Sequence, residues 1–218
     1  FDCSYCCNHS FRELYKGKGK FLRCHSVDFS IRLITRLVKQ FPSIKEIEFF
    51  DDTFVLDKEW LKDFLKEFSK LGIKFRCNAR FDMLDEEIIK ILSESGCLMI
   101  NAAIECGNEK IRYEVLHRFI SNKTIAEKTK LIQKYNIHLH AHNMVGIPHE
   151  TEEDIVKTIK LNRNLDVDSV QTSIFNPYPK TELEKLCVNN KWIDTTLKPT
   201  SYCDFTVLKT PFIKSHLV

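Results

Sequence analysis

Apolar positions recur along this chain in two alternating periods, separated by short polar breaks. Val27, Ile31, Ile34 and Val38 share one face at helical spacing, with Ser26 placed to cap the helix. Pro42, which has no amide hydrogen, ends it. Residues 44–50 then predict a strand closed by Asp51-Asp52. Asp57 caps a second helix whose apolar face is Trp60, Leu61, Phe64, Leu65 and Phe68, and Gly72 stops it. The cycle repeats with strands over 73–79, 98–105, 137–145 and 169–175 and helices over 85–95, 109–116 and 124–135. Ser121 or Asn122 caps the last of these, and Thr151 with Asp154 opens a further helix running to Arg163.

Strands alternating with helices imply parallel pairing through right-handed crossovers, hence an α/β fold. An open doubly wound sheet and a (β/α) barrel both fit. In either, chemistry gathers at the C-terminal strand ends. The polar groups expected there are Asp51-Asp52, Asn78, Arg80, Asn101, Glu105, His142, Asn143 and Asn176. After Thr181 a short helix over 182–190 leads into an irregular stretch with Pro199 and Pro211, read as a cover or as the start of a further element.

Composition narrows the class only a little. The 218 residues suit one sizeable domain, and 43% hydrophobic with 29% charged content is ordinary for a globular protein. A net charge of +3 gives no electrostatic argument for nucleic acid or for an anionic membrane. No apolar run reaches the ~20 residues of a spanning helix. The nine cysteines are odd in number and scattered, which reads as a reducing, cytoplasmic setting rather than a disulfide framework.

The chain opens on Phe1-Asp2-Cys3-Ser4-Tyr5-Cys6-Cys7. Thiolates at i and i+3 serve zinc, an iron–sulfur cluster or a redox dithiol. Zinc would need two more ligands, for which Cys24 and His25 are available. The dithiol reading expects a helix starting at the motif, whereas Asn8-His9-Ser10 and the Lys/Gly-rich 16–20 predict a loop. Asp51-Asp52 reads as a helix-capping turn or as an acceptor for an ammonium group or cation. Glu105 precedes a Gly and can grip a ribose diol, or cap a helix. Gly146-Ile147-Pro148 reads as an ordinary turn or as an exposed backbone able to pair with a flat heterocycle. His138, His140 and His142 share one strand face, better read as polar decoration than as a metal triad.

In combination these segments resemble the radical S-adenosylmethionine (SAM) superfamily. Cys3-Ser4-Tyr5-Cys6 matches the second and third cysteines of its Cys-x3-Cys-x2-Cys motif. The first cysteine and the first barrel strand would then precede Phe1. Phe49 to Phe54, Asn78-Ala79-Arg80, Ile104 to Glu109, Asn143 to Thr151 and Asn176 to Leu183 extend the match in order. The resemblance implies a partial (β/α)6 TIM-like barrel over 1–183, with 184–218 as an extension. It implies a [4Fe–4S] cluster on Cys3 and Cys6, and SAM cleaved to a 5′-deoxyadenosyl radical that abstracts hydrogen from substrate.

By position, Asp51 and Asp52 would hold the SAM amino group, Glu105 the ribose, and Val145, Gly146 and Ile147 the adenine, with Tyr5 beside it. Arg118 would answer the SAM carboxylate, and Arg80 falls in a cofactor-binding segment. Flavodoxin or ferredoxin is the kind of electron donor implied. A preceding cobalamin-binding domain fits the branch resembled most. The substrate stays open among lipid, peptide, RNA and small molecule. Departures are Ala103, His149 and Lys180, where the family commonly has Gly, and Cys106, where it commonly has Ser. A side chain at such a site is expected to narrow the cofactor pocket. The alternatives are a non-catalytic zinc domain on Cys3, Cys6, Cys24 and His25, and an inactive barrel serving as a scaffold.

Overall fold

The computed structural model describes residues 2–198, 201 and 203–213, so Phe1 and Pro199 of the sequence reading lie outside them. Five strands form one parallel sheet: β1 (Glu46–Phe49), β2 (Lys74–Ala79), β3 (Cys97–Glu105), β4 (His138–Val145) and β5 (Ser169–Ile174). Their spatial order is β1-β2-β3-β4-β5. A doubly wound sheet reverses its order at a switch point, and this one does not. Crossovers of one hand, each moving one strand onward, put the helices on one side and curve the sheet. The result is an open half-barrel.

Local chemistry sets most element ends. Helix α2 (Val27–Gln40) starts where Ser26 Oγ accepts from Phe29 N at 3.2 Å, and α3 (Lys58–Phe68) where Asp57 accepts from Trp60 N at 3.0 Å. Asp85 caps α4 (Glu86–Glu94), Asn108 caps α5 (Glu109–Glu114), and Ser121 caps α6 (Asn122–Lys134). Thr151 and Asp154 make the expected capping box on α7 (Glu152–Leu165). Thr181 caps α8 (Glu182–Asn189). Strand β1 is shorter than expected, because Ile44 N closes a turn onto Phe41 O at 3.1 Å and Phe50 lies 78% exposed.

One expectation fails at the N-terminal end. A helix, α1 (Cys7–Leu14), follows the C-x-x-C motif where a loop was expected. Its eight residues hold neither Gly nor Pro, and the chain turns only at Gly17 and Gly19, whose φ angles are 75° and 105°.

The main core lies between the sheet's outer face and helices α2, α3, α4 and α6. Phe49, Phe54, Phe64, Phe68 and Phe75 form its densest part, with ring centroids 4.6 Å apart for Phe49–Phe54 and 5.4 Å for Phe68–Phe75. Each such pair adds about 1 kcal/mol to the burial of its rings. A second cluster sits under the C-terminal segment, joining Cys106, Met144 and Ile147 to Leu183, Cys187 and Leu208. The Ile193–Leu208 bridge and the side chain of Asn176, which bonds Phe205 O and Val207 N, hold that segment on the barrel. Asn176 is thus used to pin the tail rather than to face the rim.

Candidate active site

The parallel sheet brings the ends of β1 to β4 to one edge, and the Cys3-x-x-Cys6 loop lies across it. Ser4 anchors the loop: its N–H donates to Leu116 O at 3.3 Å, and its carbonyl accepts from Leu183 N at 3.1 Å. Cys6 N closes back on Cys3 O at 3.1 Å. Cys3 is buried against the end of β2, where Arg80 Nη1 approaches its Sγ at 3.7 Å. Arg80 itself is held by Asp82 through bonds of 3.0 and 2.8 Å. Burial pushes the Cys6 thiol up, reinforced by the neighbouring Cys7, Cys3 and Asp52 charges.

Tyr5 reaches over the end of β3. Its hydroxyl donates to Glu105 Oε1 at 2.8 Å and lies 3.5 Å from Arg118 Nη1. Burial, then the Glu105 charge, hold the phenol well above its usual range, so it stays a donor. Arg118 Nη2 donates to Ala103 O at 2.8 Å, while its Nε is buried without a partner among the described residues. Burial pulls Arg118 down, but Tyr5, Glu105 and Cys3 beside it outweigh that, and the side chain stays cationic.

Glu105 has a φ of 66°, a left-handed conformation that a non-Gly residue holds only when its surroundings fix it. They do. Gly107 N donates to Thr158 Oγ1 at 2.7 Å, and a Cβ on Gly107 would meet the Lys157 and Thr158 backbone at 2.5 Å. Asn108 Nδ2 donates to Asp154 Oδ1 at 2.7 Å. The fully buried Arg112, which sequence reasoning missed, donates twice to Cys106 O, at 3.0 and 2.6 Å.

The acidic pair after β1 stands apart. Asp51 and Asp52 are exposed, and among the described residues Asp52 alone of the two reaches α1, accepting from Asn8 Nδ2 at 2.6 Å. Asn78 Nδ2 donates to Asp51 O at 3.0 Å and fixes the turn.

The turn after β4 corrects the expectation of an exposed backbone. Gly146 N and Ile147 N donate to Glu150 Oε2 at 2.7 and 3.2 Å, and Val145 O accepts from Phe175 N at 2.8 Å. A buried carboxyl had already claimed those amides. Ile147 is buried in the cluster against which Tyr5 packs, so the segment offers an apolar side chain rather than amide edges. Burial raises Glu150 to about 7, and Cys106, raised to about 12 by burial and by Glu150, sits 3.7 Å from its Oε1. The Cys106 thiol thus turns toward Glu150 and Thr158 and does not narrow the space around Glu105.

A family model described as the radical SAM superfamily matches residues 1–161. The chain belongs to the radical SAM superfamily. An uncharacterized methyltransferase of Pyrococcus horikoshii is 32% identical over 179 residues, covering 81% of this chain and 39% of that protein. The cytidylyl-2-hydroxyethylphosphonate methyltransferase of Streptomyces wedmorensis is 20% identical over 88% of this chain and 36% of its own length. The chain therefore spans under two fifths of either relative. Among solved structures, the radical SAM methyltransferase TsrM from Kitasatospora setae superposes with a TM-score of 0.66 over 75% of this chain and 31% of its own, at 16% identity. The cobalamin-dependent SAM radical enzyme OxsB gives 0.67 over 98% of this chain and 37% of its own, at 13% identity. At such identities the two structures bear on the fold alone.

Membership of the radical SAM superfamily implies a [4Fe–4S] cluster and SAM, and the residues present fit both. Thiols are the soft donors a cluster takes. The unpartnered Arg118 Nε is a buried donor of the kind an anionic acceptor would satisfy. The zinc alternative finds no such support. Cys24 and His25 are exposed, and among the described residues no group of three or more His, Cys, Asp or Glu gathers to hold a metal. Nor do the strand histidines, since His138 turns to Asp168 at 2.6 Å and His140 to Ser169 at 2.7 Å. No helix among the described residues is long and apolar enough to cross a membrane.

Proposed function

We propose that this chain is the cluster- and SAM-binding core of a radical SAM methyltransferase. The observation that carries the cofactor reading is the linked group Cys3, Arg80, Tyr5, Glu105 and Arg118 at one end of the half-barrel. When bound, the cluster and SAM supply the electron and the 5′-deoxyadenosyl radical that open hydrogen-abstraction chemistry.

Cys3 and Cys6 hold the cluster, and the Ser4 anchors fix their loop. Arg118 binds the SAM carboxylate through its free Nε, a charge-assisted bond in a buried site. Glu105, oriented by Tyr5, accepts from the ribose hydroxyls. Ile147 and Tyr5 supply apolar contact for the adenine, on a turn that Gly146 and Val145 shape. Asp51 and Asp52 receive the SAM ammonium from the exposed side, and Arg80 steadies Cys3. The buried loop contacts exclude water from the cluster side.

Methyl transfer is inferred from the relatives, two of which are named methyltransferases, and cobalamin, which TsrM binds and OxsB depends on, is the methyl carrier this reading expects. A reduced flavodoxin or ferredoxin is the expected electron donor. Full-length protein, reconstituted anaerobically with iron and sulfide and given cobalamin, should convert SAM to S-adenosylhomocysteine under reducing conditions. Formation of 5′-deoxyadenosine without S-adenosylhomocysteine would keep the radical SAM core and remove the methyl-transfer reading.

A further inference from the structure

The inner face of this half-barrel is not a packed core. Barrel interiors are ordinarily filled by layers of branched apolar side chains. Here most of the inward positions are polar, with Phe50 and Met99 the apolar exceptions, and they bound a cavity of about 550 Å³. Strand register sorts them into rows. One row runs Asn78, Asn101, His140, Ser169 across β2 to β5. It satisfies itself: Asn101 Nδ2 bonds Asn78 Oδ1 at 3.0 Å, and His140 Nδ1 bonds Ser169 Oγ at 2.7 Å. That row is a floor.

The next row, toward the cluster end, is Ala103, His142, Gln171. Ala103 is small, which leaves a gap in the row. Neither His142 nor Gln171 has a side-chain hydrogen bond among the described residues, although His142 is half-buried beside His140 with ring centroids 4.8 Å apart. Burial and then His140 lower the His142 pKa, so its imidazole is neutral, with one donor and one acceptor nitrogen. A carboxamide on Gln171 adds the same pair.

We propose that the His142–Gln171 row is the substrate-recognition site, and that it takes a neutral planar group bearing adjacent donors and acceptors, a carboxamide or a heteroaromatic edge. An apolar chain would leave these groups unpaired. A polyanion would find no free cation among the described lining residues, because Arg76 is paired with Glu46, and it would face Glu48. The row lies one step below Glu105, so the proposal rests on the reading of that end as the SAM site.

The test uses full-length protein carrying 13C-labelled histidine, with nicotinamide as probe and 1-octanol and inorganic phosphate as comparisons. Nicotinamide should shift the His140 and His142 ring signals saturably, and neither comparison should. Gln171→Ala should weaken nicotinamide about fivefold, the loss of one hydrogen bond. SAM binding is measured on the same samples by equilibrium dialysis. Retained SAM binding with no nicotinamide shift, an equal shift by octanol or phosphate, or an unchanged affinity in Gln171→Ala overturns the substrate proposal alone. A nicotinamide shift in protein that does not bind SAM supports the row as a ligand site and overturns the SAM reading above it.

Discussion

The two ends of the rim are built differently. Around β3, Tyr5, Glu105 and Arg118 are interlocked and shielded, and the loop behind them is clamped to α7. After β1, Asp51 and Asp52 stand in water, and among the described residues Asn8 is the one side chain that bonds their carboxylates. The same type of charged contact is worth far more in the first setting than in the second, because water screens exposed charges. The shielded end should therefore dominate affinity for SAM, and the exposed end should adjust it.

The largest effect should come from the loop both ends share. Cys6→Ala or Cys3→Ala in reconstituted full-length protein should abolish the brown iron–sulfur chromophore, read by absorbance. Next, Arg118→Ala should weaken SAM binding about 10- to 100-fold, the loss of charge-assisted hydrogen bonds from a buried site. Asp52→Asn should cost about fivefold or less. Equilibrium dialysis with labelled SAM ranks the two, and a reversed ranking would break the comparison.

Stability offers a second contrast. Glu150→Ala strands the Gly146 and Ile147 amides and should lower unfolding free energy by about 2–4 kcal/mol. Glu150 is raised from 4.5 to about 7, so the folded state binds the extra proton. Stability then falls as pH rises from about 4.5 to about 7, by about 3 kcal/mol at 1.36 kcal/mol per unit, and levels above. Cys106 and Asp154 face this carboxyl, and neither changes charge in that window, with Cys106 at about 12 and Asp154 at about 2. Glu150→Gln mimics the protonated form and should flatten the slope in denaturant melts at several pH values.

The smallest effect concerns two of the glycine departures. His149 and Lys180 have φ angles of 67° and 68°, the left-handed region where glycine is unstrained. The family glycines are thus explained by backbone conformation. Lys180→Gly should raise stability by about 0.5–1 kcal/mol by thermal melting. His149→Gly should gain less, because it forfeits ring contacts with Trp192 and Phe212 at 5.4 and 4.8 Å.

What could be read in the sequence was whatever local spacing controls. Ser26, Asp57, Asp85 and Thr151 announced their helices, and the β/α alternation announced the parallel sheet. Whether that sheet was doubly wound or a barrel was not local, since it depends on strand order. Helix α1 escaped because its large apolar residues, Phe11 and Leu14, are exposed and it buries none of its side chains, so no core-facing periodicity marks it. Tyr5, Glu105 and Arg118 were each singled out, but their linkage spans 100 and 113 residues of chain and needs the fold. Glu150 escaped for another reason. A Glu after a turn is ordinarily solvated, and only its complete burial turns it into the partner of the Gly146 and Ile147 amides.

The central claim is that this rim holds SAM for reductive cleavage. The direct measurement is 5′-deoxyadenosine formed by anaerobically reconstituted full-length protein with dithionite and SAM. The account predicts turnover in the wild type, a deep loss in Arg118→Ala at subsaturating SAM, and none in Cys6→Ala. A protein that assembles its cluster and binds SAM but forms no 5′-deoxyadenosine would contradict it.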